Sequence, residues 1–195
     1  MGSRIAIIQG HPDPGANRFG HALATAYTNG AKEGGHEVTV INVAGLDFPL
    51  LRTKEDFENA PPPDAIRRAQ QTIEWAEHLV FIYPLWLGTM PALLKAFLEQ
   101  VFRPGFAMDK TASGIRWKKR LLGKSARVVV TMGMPALIYR WYFRAHSLKS
   151  LERNVLGFCG IGPIKETLIG MIESKNPAGR EKWLARVHEF GRNGR

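Results

Sequence analysis

Three short stretches of the 195-residue chain collect residue types that could do chemistry. The first, GHPDPGANRFG at 10–20, sets three glycines and two prolines beside His11, Asn17 and Arg18, and runs into a helix-like segment. It is neither G-x-G-x-x-G nor a Walker A loop, because no Lys-Ser/Thr pair follows the last glycine. A polar, glycine-rich turn feeding a helix still offers an anion its backbone N–H groups and the positive end of the helix dipole. His11, Asn17 and Arg18 add donors, and a terminal phosphate suits such a turn better than a bridging pyrophosphate. The same residues also fit a plain strand-to-helix connection capped by Asn17.

The second stretch is PLWLGTMP at 84–91. Exposed Trp, Leu and Met are costly filler for a loop, but they make one wall of a flat apolar slot. Pro84 ends the preceding strand and stiffens the turn, Gly88 allows close backbone approach to a ligand, and Pro91 suits a first helical turn. Backbone N–H groups around 86–88 would face a planar ring, with Trp86 and Leu87 packed along it. The competing reading is an apolar loop buried beneath residues 103–120. The third stretch, TMGMPALIYRWYFRAHS at 131–147, begins with Thr131 and Gly133, which could meet the same ring from the other side. Tyr139 and His146 are the polar groups able to reach the ring's edge, where a donor would stabilise developing negative charge. Each also fits a packing or surface role, and Trp141-Tyr142-Phe143 fits core or a subunit contact.

These stretches need elements to hold them. Strand-like runs lie at 4–9, 37–43, 78–83, 126–132 and 163–170, with helix-like segments at 19–33, 64–77, 91–102, 141–156 and 178–191. The alternation predicts an α/β fold with a parallel sheet covered by helices on both faces. The first, third and fourth runs are almost continuously apolar, as doubly buried parallel strands are. Five such strands suit the 2-1-3-4-5 order of doubly wound, flavodoxin-like sheets, where ligands bind beyond the carboxyl ends of the strands. The three stretches follow strands one, three and four, so all fall on that rim. Residues 1–195 are expected to form one domain.

Composition narrows the partners. Hydrophobic residues make up 45% and charged residues 23%, ordinary values for a globular protein. No apolar run approaches the ~18 residues of a membrane span. The N-terminus reads as a first strand, lacking the cleavage site of a signal peptide. The single cysteine, Cys159, fits a reducing, cytoplasmic setting and a small core position. No Cys/His spacing points to a metal. The formal charge of +10, concentrated at 116–124 and 140–153, favours anionic partners: a phosphate-bearing cofactor or an acidic membrane surface. The basic residues lack the interleaved aromatics of a single-strand nucleic-acid platform, so no nucleic acid is expected.

The segments GHPDPGANRFGHALA, YPLWLGTMPALLKAFLEQVFRPGFA, VVVTMGMP and GFCGIGP, in that order over nearly the whole chain, make the sequence resemble the NAD(P)H:quinone oxidoreductases of the flavodoxin-like class. The resemblance implies a homodimer with FMN or FAD at the strand ends and NADPH or NADH as co-substrate, the arginines favouring NADPH. It places phosphate contacts at His11, Asn17, Arg18 and Phe19. It places ring contacts at Pro84, Leu85, Trp86, Leu87 and Gly88, and at Thr131, Met132 and Gly133. Tyr139 and His146 match the family's catalytic Tyr and His. The implied mechanism is ping-pong: hydride passes to the flavin, the nicotinamide leaves, and a quinone-like acceptor takes two electrons. The family's tandem tyrosines have no counterpart where GFAMDKTASGIRWKK stands. A second expectation is a flavin-binding ancillary subunit of a membrane potassium-efflux system, to which the basic surface would suit a peripheral association with anionic membrane.

Overall fold

Residues buried on both faces form the central strands, and residues with one apolar stripe form the helices around them. The computed structural model describes residues 2–15, 17–111 and 117–195, which excludes Arg116 at the head of the basic stretch. In chain order the elements are β1 (Arg4–Gln9), α1 (Phe19–Glu33), β2 (Glu37–Asn42), α2 (Lys54–Glu58), α3 (Asp64–Trp75), β3 (His78–Pro84) and α4 (Ala92–Val101). A small hairpin follows, β4 (Met108–Lys110) and β5 (Trp117–Lys119), then β6 (Ser125–Thr131), α5 (Ala136–Trp141) and α6 (His146–Ser150). A π-helical turn (Leu151–Leu156), α7 (Gly157–Cys159), β7 (Ile164–Ile169) and α8 (Pro177–Arg192) complete the chain.

The main sheet has five parallel strands in the order β2-β1-β3-β6-β7. With the hairpin set aside, this is the expected 2-1-3-4-5 order. One face packs on α3, α4 and the 148–161 segment; the other packs on α1 and α8. The central strands end in register, Gln9 beside Ile82 and Pro84 beside Thr131, so their following loops leave from one rim.

Two helices on the second face meet backbone to backbone. A Cβ on Gly191 would lie 2.1 Å from the Tyr27 carbonyl oxygen, and one on Gly30 would lie 1.9 Å from that of His188. This contact seats α8 against α1. Cys159 is buried as expected, and burial pushes its thiol up to about 12.

The expected helix over 141–156 is corrected. Helix begins five residues earlier, at Ala136, and stops at Trp141. It resumes at His146 after Arg144 and Ala145 adopt φ of 52° and 48°, and then widens into the π turn. Left-handed backbone at two non-glycine residues breaks the helical ladder there.

His78, at the start of β3, is 4% exposed and its Nδ1 lies 2.8 Å from Ser125 Oγ. Burial, with Arg127, Lys165 and His36 nearby, pushes its pKa down to about 4. Because the folded value lies below the unfolded one, the neutral ring favours folding above pH ~6.5 and that advantage is lost as pH falls towards 4. Stability should therefore drop by about 2 kcal/mol from this group between pH 7.5 and 5. Urea melts of wild type and His78→Asn at both pH values check this: the variant should show the shallower decline, and parallel declines would remove His78 as a source.

Candidate functional site

The carboxyl rim of the sheet holds an open cleft of about 480 Å³. Its lining comes from four segments: His11, Asp13 and Asn17 to Gly20 after β1, Pro84 at the end of β3 with Trp86 after it, Thr131 at the end of β6, and Ile172, Glu173 and Arg180 after β7. All three loops chosen from sequence converge there, and the segment after β7 joins them.

The first loop is held from within. Gly10 N–H donates to the Ile82 carbonyl (2.8 Å) and His11 N–H to Gln9 Oε1 (2.7 Å). Asp13 N–H donates to His11 Nδ1 (3.1 Å), which leaves the ring's proton on Nε2. Burial, helped by neighbouring His21, lowers the His11 pKa, so the ring is neutral near pH 7. It meets Trp86 edge-on at 6.0 Å. Asp13 accepts from Gly15 N–H (2.8 Å) and from Arg18 Nε (2.7 Å), and these partners hold its carboxyl below the usual range. Arg18 thus enters the cleft already paired with a carboxylate, which the sequence reading did not foresee.

Arg18, not Asn17, occupies the cap position of α1, and no side chain caps that N-terminus. No acidic residue lies in the first turn, and Gly20 is buried within it. Beneath this end, Gln9 is 2% exposed and its Nε2 has no partner among the described residues. That nitrogen sits 3.6 Å from where a Gly20 Cβ would be. An uncapped helix N-terminus over an unpartnered buried amide donor fits a phosphate-bearing ligand.

The turn after β3 is closed by hydrogen bonds between Trp86 and Thr89, with φ of 46° at Leu87 and 77° at Gly88. Positive φ at both central residues makes a tight type I′ turn, which Gly88 accepts freely and Leu87 does not. Trp86 is 50% exposed and Leu87 fully so. The alternative of a loop buried beneath 103–120 is therefore discarded: these side chains stand at the rim. Leu85 is anchored by its N–H to the Thr131 carbonyl (2.7 Å), tying this turn to the end of β6.

Past Thr131, the chain is stitched to the segment after β7. Met132 N–H donates to Ile169 O, Met171 N–H to Met134 O and Ile172 N–H to Met132 O. Gly133 is exposed and faces the Glu173 carboxylate. Tyr139 is buried; its hydroxyl pairs with Ser147 Oγ (2.7 Å) and accepts from Leu148 N–H (3.1 Å). It latches α5 to α6, away from the cleft lining. His146 is exposed at the start of α6. Of the sequence-chosen residues, His11, Asn17, Arg18, Phe19, Pro84, Trp86 and Thr131 line the cleft, while Leu85, Leu87, Gly88, Met132 and Gly133 lie in the loops that frame it. Among the described residues no cluster of His, Cys, Asp or Glu could hold a metal ion.

A family model described as having a flavodoxin-like fold matches residues 3–190. An uncharacterized NAD(P)H oxidoreductase of Haemophilus influenzae is 29% identical over 182 residues, covering 91% of this chain and 89% of that protein. A mouse ribosyldihydronicotinamide dehydrogenase [quinone] is 27% identical over 184 residues, covering 82% and 78%. The chain spans only 57% of a further relative, a ribosyldihydronicotinamide dehydrogenase-like protein of Penicillium crustosum, at 28% identity over 155 residues and 67% of this chain. Among solved structures, an NAD(P)H:quinone oxidoreductase from Methanothermobacter marburgensis superposes with a TM-score of 0.85 over 100% of both chains at 24% identity.

Proposed function

The chain belongs to the family of that flavodoxin-like model, and from this premise we propose that it is a flavin-dependent NAD(P)H oxidoreductase that delivers two electrons to a quinone-like acceptor by a ping-pong route. The observation that carries the reading is the meeting of four rim segments around one cleft, with the uncapped α1 N-terminus and the unpartnered Gln9 amide at its base. The names of the Haemophilus and mouse relatives support the same reaction class.

The residues present fit a bound FMN or FAD. The first turn of α1, Gln9 Nε2 and the Nε2–H of His11 would take the phosphate. Trp86 and the turn at Leu87–Gly88 would flank the ring on one side, and Thr131 to Gly133 on the other. When bound, the flavin supplies the hydride and electron chemistry. The protein's part is to orient and to stabilise charge. His146, exposed at the start of α6 and outside the residues that line the cleft, is the group we assign to donate to the developing negative charge. Tyr139 holds it in place through Ser147 and Leu148.

The purified protein should be yellow and should oxidise NADPH rapidly when a benzoquinone is added. Heat release followed by chromatography distinguishes FMN from FAD. A colourless protein that takes up neither added flavin refutes the reading; a yellow protein with slow turnover favours the ancillary-subunit role instead. His146→Ala should slow reduction by NADPH about 10-fold or more without loss of flavin. An unchanged rate in stopped flow would take His146 off the list of catalytic groups.

A further inference from the structure

The segment between β2 and α3 is tied from inside to the end of α4. Gln100 is 1% exposed, and its Nε2 donates to the Pro49 carbonyl (2.7 Å). Arg103 is 4% exposed, and its Nη1 donates to the Asp56 carbonyl (2.6 Å). Each tie leaves part of the side chain over. Gln100 Oε1 and Arg103 Nη2 are buried with no partner among the described residues. One orphaned acceptor and one orphaned donor, three residues apart, are what buried polar groups ordinarily avoid.

The charge of Arg103 is unmatched as well, for among the described residues it makes no ion pair. The Asp56 carboxylate is turned instead to the backbone N–H groups of Arg52 (3.2 Å) and Thr53 (2.9 Å), where it helps cap α2. The carbonyl end of α4 lends some negative potential but no acceptor for Nη2. A guanidinium taken out of water without a counter-charge is costly. Gln100 and Arg103 both line a groove of about 260 Å³, and Arg52 brings a second guanidinium to it. Apolar side chains, among them Pro49, Leu51, Pro61 and Pro63, make most of the remaining wall. No residue of this groove lines the cleft described above.

We propose that this groove binds a hydroxyaryl carboxylate. The carboxylate accepts from Arg103 Nη2 with Arg52 close by, a charge-assisted bond of the strong kind. The hydroxyl donates to Gln100 Oε1, and the ring lies against the prolines and Leu51. The groove falls just below the roughly 300 Å³ at which drug-sized pockets begin, which suits a single substituted ring. An inorganic oxyanion would leave the apolar wall unused. Both orphaned atoms are covered by the groove's own walls, so those walls yield slightly as the ligand seats. The site does not depend on the proposed redox chemistry.

Titration calorimetry of the full chain near pH 7 tests this with 3- and 4-hydroxybenzoate, benzoate, phenol and inorganic phosphate. The tighter hydroxybenzoate should bind about 10-fold better than benzoate, which leaves Gln100 Oε1 unmet. Phenol, which leaves Arg103 unmet, should bind about 30-fold more weakly or worse. Arg103→Met should weaken the hydroxybenzoate by about 30-fold or more, and Arg103→Lys by less. Ala60→Phe places a ring in the groove from a residue that makes neither tie, and should abolish binding with turnover of NADPH unchanged. Circular dichroism checks that each variant keeps its fold. Benzoate binding as tightly as the hydroxybenzoates, phosphate binding more tightly than either, or no binding at all overturns the proposal. So does binding that survives Ala60→Phe and is lost in Trp86→Ala, which would place the ligand in the cleft.

Discussion

Gly170→Ala is expected to abolish the proposed flavin binding while leaving the sheet folded. Gly170 follows β7 directly, and a Cβ there would lie 2.4 Å from Ala136 N, 2.7 Å from Met134 O and 3.1 Å from Pro135 C. All three are backbone atoms, so the neighbour cannot swing away as a side chain would. The loop after β6 must retreat by roughly 1 Å, and with it the three bonds that link Met132 and Met134 to the end of β7 and the segment after it. Misplacing a site by about 1 Å costs on the order of 100-fold in rate. Flavin remaining after gel filtration should fall by about 10-fold, and turnover with NADPH and a benzoquinone by about 100-fold. A variant that keeps both at wild-type levels would show that this wall does not shape the site.

Gly191→Val should cost the most stability. Its Cβ would meet Tyr27 O at 2.1 Å and Ala31 N at 2.9 Å, again backbone, where the last turn of α8 lies against α1. Overpacking of this kind costs about 3 kcal/mol or more. For a chain of this length that lowers Tm by roughly 6–12 °C. Calorimetry of variant and wild type at the same pH measures the difference; a Tm within about 1 °C of wild type would mean that the two helices can separate freely.

The strands were legible because burial writes itself into sequence. RIAIIQ and HLVFIY are almost continuously apolar since both their faces are covered. Even β6, read as an apolar run, hides Arg127, whose charge is accommodated by Thr167 and by the Phe190 ring 3.8 Å away. Pattern alone cannot show such a partner 63 residues distant. The three rim loops were legible from glycine, proline and aromatic content together with strand order. The segment after β7 was not: Ile172, Glu173 and Arg180 carry no motif, and they reach the cleft because β7 pairs with β6. Gln9 was hidden as the last residue of an apolar strand. The break at Arg144 and Ala145 was invisible for a different reason, since neither residue type favours left-handed backbone.

The α1–α8 contact also sets a timetable. The cleft's walls are drawn from His11 at one end of the chain to Arg180 near the other, and the last wall is seated by a helix that ends at Arg192. A growing polypeptide with its first three loops already emerged still lacks the closing side. Ligand capture during synthesis therefore has to await the final turn of that helix, and shortfalls in the ligand would be felt by finished chains, not by nascent ones.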